Sequence, residues 1–103
     1  MGKAYDKKIV KVDGKSYEIE VLYSKRYGTA YLTGTWIDED IYVTVANDCH
    51  YVLNIYRKDN KDKTKAHLFI MVFGARLKGP YKQIYDILLN VLKEESAKKK
   101  KGL

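Results

Sequence analysis

Cysteine, proline and tryptophan occur once each in 103 residues, and phenylalanine and histidine twice each. One cysteine excludes an internal disulfide framework and suits a reducing compartment. No stretch approaches the ~18 apolar residues of a membrane-spanning helix. The opening Met-Gly-Lys-Ala-Tyr-Asp-Lys-Lys holds no apolar signal core. There is no glycine-rich phosphate loop, no G-x-G-x-x-G, no G-x-S-x-G and no C-x-x-C. Nothing repeats at a period of roughly 20–50 residues. These absences leave an intracellular, cytoplasmic protein for which no cofactor or metal is expected. Length sets a single domain over residues 1–96, followed by a basic lysine-rich tail, 97–103, expected to be disordered.

Tyrosine and positive charge are what the chain has in excess. Ten Tyr account for most of the aromatic content. Tyr pairs an apolar body with a polar tip, which suits half-wet sheet faces or binding surfaces. The net charge of +7 is uneven: bases outnumber acids in residues 1–15, 57–65 and 93–103, whereas residues 16–56 hold six acids against Lys25 and Arg26. A basic footprint at both ends and in one loop favours polyanionic partners.

The period of the apolar pattern gives the elements. Ile84, Ile87, Leu88, Val91 and Leu92 share one helical face with Tyr81, and Pro80 suits the first turn, where its missing N–H has no partner to lose. Upstream the period is two. Residues 1–7 should fray before a first strand over Lys8–Val12, and Asp13-Gly14 is a two-residue hairpin turn. Tyr17, Ile19, Val21 and Tyr23 form an inward row. In Thr29–Ile37 the residues Ala30, Leu32, Gly34 and Trp36 share a face, and the small Ala30 and Gly34 around Leu32 are expected to leave room for the helix. Strands at Ile41–Val45 and Tyr51–Arg57 follow, then a mobile polar loop, Lys58–Lys65. The last strand, His67–Phe73, should place Leu68, Ile70 and Val72 on one face and Phe69, Met71 and Phe73 on the other. The fold class is therefore α+β: a meandering antiparallel β-sheet of about six strands with one C-terminal α-helix packed on one face. The helix covers only part of such a sheet, so either the sheet curls toward a barrel or a second subunit completes it. A homodimer is the expected remedy.

The residue types that carry chemistry are few. Asp48, Cys49 and His50 are the only catalytic cluster, but neighbours in a strand point to opposite faces, and no ligand spacing such as C-x-x-C joins them to His67 as a zinc site. Asp38, Glu39 and Asp40 make a solvated turn. No enzyme is expected. Tyr31, Tyr42 and Tyr56 should lie on the face away from the helix, and aromatics on an open sheet bordered by cations suit the stacking of unpaired bases. Lys25 and Arg26, then Arg57, Lys58, Lys61, Lys63 and Lys65, supply the cations. Arg76 and Lys78, in the loop Gly74–Pro80 before a helix N-terminus, are positioned to hold an anion. The sequence thus points to a non-enzymatic binding protein engaging nucleic acid. The alternative is a protein-binding inhibitor or regulator of a nucleic-acid-handling machine, favoured by the acidic middle.

Overall fold

A computed structural model describes residues 5–47, 51–73 and 76–98 of the chain. Asp48, Cys49, His50 and most of the lysine-rich tail lie outside the described residues. Strands β1 (Tyr5–Val12) and β2 (Lys15–Tyr23) form the first hairpin. Asp13 and Gly14 join them with φ of 52° and 79°, the left-handed pair that a type I′ turn needs. Strand β1 begins three residues earlier than the sequence suggests, because Tyr5, Asp6 and Lys7 find ladder partners in Leu22, Val21 and Glu20 of the longer β2.

Strands β3 (Ala30–Trp36), β4 (Ile41–Ala46), β5 (Leu53–Lys58) and β6 (Ala66–Val72) follow, each antiparallel to the one before, in the order β1-β2-β3-β4-β5-β6. The sheet is open and does not close into a barrel. Loop 58–65, read from sequence as mobile, is wound by its own acids: Asp59 Oδ1 accepts the N–H groups of Lys61 and Asp62, and Asp62 Oδ1 that of Thr64.

Helix α1 (Pro80–Ser96) crosses one face of the sheet, mainly over β3 and β4. Ile84, Leu88, Val91 and Leu92 are buried as their spacing predicts, together with Tyr85 and Glu95, while Tyr81 and Ile87 are half-buried. They pack on Ile19, Val21, Val43, Val45, Leu53 and Ile55. No described helix is long and apolar enough to cross a membrane.

Two register irregularities correct the faces expected for β3 and β6. Thr33 pairs with Val21 and Val45, and Thr35 with Val43, so the two threonines lie under the helix while Leu32, Gly34 and Trp36 lie on the opposite face. The break between Leu22 and Tyr23 makes Tyr31 an extra residue and returns Ala30 to the helix side. The Thr33 hydroxyl donates to the Leu88 carbonyl (2.9 Å), so the helix approaches β3 at a threonine and not at the glycine. In β6, Ile70 pairs with Ile55 but Leu68 with Tyr56, leaving Phe69 as the bulged residue. Leu68 therefore joins Met71 on the open face, whereas Ile70 and Val72 share the helix side.

Candidate functional site

Among the described residues, no element lies over the sheet face away from α1. The centre of that face is built by the ends of three strands. Trp36 of β3 pairs with Tyr42 of β4, and Tyr42 with Tyr56 of β5, so three aromatic side chains stand in a cross-strand row. Trp36 and Tyr42 meet edge to face, with centroids 5.0 Å apart and planes at 60°. The Tyr42 ring lies over Gly34: a Cβ built there would sit 2.7 Å from Tyr42 Cζ, so only glycine leaves the ring its place. The Tyr42 hydroxyl donates to Glu20 Oε1 at 3.0 Å. Burial, then the Glu20 bond and charge, push the Tyr42 phenol well above the usual tyrosine range.

Lys58 Nζ stands 4.7 Å from the Trp36 ring centroid, within cation–π range. Lys15 borders the same tryptophan and hydrogen-bonds the Ile37 carbonyl at 3.5 Å. Between the aromatics lies a shallow cleft of about 360 Å³, lined by Glu20, Trp36, Tyr42, Thr44, Tyr56 and Ala66. Thr44 lies in it and pairs directly with Asn54 on the same face. Thr44 Oγ1 and Asn54 Oδ1 are buried and without a hydrogen-bond partner among the described residues. Such atoms are rare in folded proteins, and being buried they are held out of reach of a molecule on the face.

Of the residues singled out in the sequence, Tyr42, Tyr56 and Lys58 are thus brought together. Tyr31, Lys25 and Arg26 are not: they lie at the opposite end of the sheet, where Arg26 stacks on Tyr27 with its guanidinium 5.2 Å from the ring centroid. Lys61, Lys63 and Lys65 occupy the β5–β6 loop at the Trp36 end. There Lys63 pairs with Asp40 (3.5 Å) and Lys65 approaches Asp62 (4.0 Å), so the acidic 38–40 turn offsets part of this charge. Asp38 Oδ1 is itself engaged by the N–H groups of Asp40 and Ile41. Among the described residues no three His, Cys, Asp or Glu side chains converge as a metal site would require. Arg57, Arg76 and Lys78 lie on the other side of the sheet, beside the helix.

Sequence reasoning missed Trp36, which it assigned to the helix face. A signal for Trp36 existed in Gly34 two residues earlier: a glycine inside a strand makes room for a large neighbour, and that neighbour is an aromatic on the open face. No protein-family model, curated protein or solved structure matches the chain.

Proposed function

We propose that the protein binds single-stranded nucleic acid on the open face of its sheet. The observation that carries this is the row Trp36, Tyr42 and Tyr56 on an uncovered sheet face, with the Lys58 ammonium over Trp36. Flat rings on an uncovered sheet stack on bases of any sequence, since every base has a π face. Lys58 over Trp36, with Lys11 of β1 on the same face, meets the phosphates, while Lys7 beside them is paired with Glu18 at 3.0 Å. The role is binding, not catalysis.

Trp36 is the chain's only tryptophan and 44% exposed, so it reports directly on the site. Titration with single-stranded DNA and RNA oligonucleotides is expected to quench its fluorescence, with an affinity that falls as salt rises. Tyr56→Ala should weaken binding by about 1–3 kcal/mol, the worth of one stacked base, without changing the far-ultraviolet circular dichroism. Quenching that is absent, or equal for single- and double-stranded probes, would sink the proposal.

A further inference from the structure

The sheet's two free edges are treated differently. Strand β1 carries Lys7, Lys8 and Lys11 within eight residues, and lysines on an edge discourage another strand from pairing there. Strand β6, Ala66–Val72, has no Lys, Arg, Asp or Glu at all. Apart from His67, which meets Asp59 at 3.0 Å, its side chains are apolar, and most stand in water: Phe69 is 64% exposed, Met71 59% and Ile70 44%. The bulge turns Phe69 toward the helix side, where it forms one wall of a groove of about 350 Å³ between β6 and the start of α1.

That groove has an apolar floor, formed by Ile41, Ile55 and Val72, and three cations around it, Arg57, Arg76 and Lys78. Among the described residues no acid lines it. The Arg57 guanidinium lies 5.2 Å from the centroid of the Phe69 ring, which holds it at the groove mouth. Helix α1 begins beside it with no side-chain cap and no acidic residue in its first turn, so its positive end is not compensated locally.

We propose that β6 and this groove together bind an extended acidic–apolar peptide segment of another protein by strand addition. The peptide's backbone would continue the ladder past β6. Its apolar side chains would cover Phe69 and Ile70, and its carboxylates would meet Arg57, Arg76 and Lys78. Charge selects this occupant over the alternatives. A second copy pairing edge to edge about a two-fold axis brings Arg76 and Lys78 of both molecules onto one face of the joined sheet, like charge facing like charge. The chain's own lysine-rich end is of the wrong sign.

The test uses fluorescein-labelled peptides of about seven residues, a strand's length, alternating Glu with Val, and a counterpart alternating Lys with Val. The Glu peptide is expected to bind in anisotropy titrations at least tenfold more tightly than the Lys peptide. Its binding should weaken with salt. Arg76→Glu combined with Lys78→Glu, both at exposed positions, should cost about tenfold or more with circular dichroism unchanged. On the wild-type protein, amide hydrogen exchange should slow at Leu68–Val72 when the Glu peptide is added, a footprint that a ligand confined to the open face does not give. Equal binding of the two peptides, no binding of either, or protection at β1 instead of β6 would overturn the proposal. So would a dimer in sedimentation velocity whose β6 amides are already protected without peptide, since the occupant would then be a second copy.

Discussion

Tyr42 makes three contacts on the open face: Gly34 beneath its ring, Trp36 at its edge and Glu20 at its hydroxyl. A methyl group at residue 34 displaces the far end of that ring and breaks all three contacts at once. Gly34→Ala is therefore expected to cost about 1 kcal/mol, one hydrogen bond's net worth, despite alanine's lower cost of ordering in a strand. Its diagnostic effect is on titration. The Tyr42 phenol, raised by burial and by Glu20, should fall back toward the ordinary tyrosine range, read as tyrosinate absorbance during an alkaline titration. An unchanged titration would mean that the ring does not depend on the glycine.

At the scale of elements, α1 is fixed at two places besides its apolar stripe. Mid-helix, Thr33 hydrogen-bonds the Leu88 carbonyl. In its last turn, Glu95 accepts the Tyr23 hydroxyl at 2.8 Å and faces Lys8 at 3.5 Å and Lys98 at 3.6 Å. Burial on its own raises the Glu95 carboxyl, but the Tyr23 bond and the two lysines outweigh it and hold the group below the ordinary glutamate range. A depressed carboxylate contributes stability that is present above its unfolded value and lost as pH falls through the folded one. The protein should therefore lose stability on acidification below about pH 4.5, the ordinary value. Glu95→Gln should flatten that part of the melting-temperature profile, which thermal scans across acid pH will show.

The elements were legible in the sequence because their periods are clean: a 3.6-residue stripe from Ile84 to Leu92, and alternation from Tyr17 to Tyr23. The faces of β3 and β6 were not. An extra residue at Tyr31 or Phe69 leaves the local alternation intact while exchanging the sides of the residues beyond it. Thr33 and Thr35 also read as solvent-facing, although each finds an acceptor under the helix: the carbonyl of Leu88 for Thr33 and that of Glu18 for Thr35. The residues of the candidate site were half-legible for the same reason. Tyr42 and Tyr56 come from strands read in the correct register, while Trp36 lies beyond a break.

For the molecule as a whole, the layout separates two kinds of surface, an aromatic face on one side of the sheet and a cation-rimmed apolar groove on the other. Both are carried by a sheet whose core side is covered by α1. The six strands pair only with neighbours in sequence, so their ladders form by closing short loops, which is fast. The helix has to find β3 from some fifty residues away, across a sheet that already exists. During synthesis the meander therefore emerges first, with Ile19, Val21, Val43 and Leu53 waiting uncovered until residues 80–96 emerge. In kinetic terms the helix contacts are expected to form on the native side of the folding barrier. Leu88→Ala should remove about 2–5 kcal/mol of stability, and chevron measurements should find most of it as faster unfolding, with the folding arm little changed. A folding arm slowed by the full amount would instead make the helix part of the nucleus. The expected result makes the lifetime of the folded chain, more than its rate of formation, the property that α1 controls.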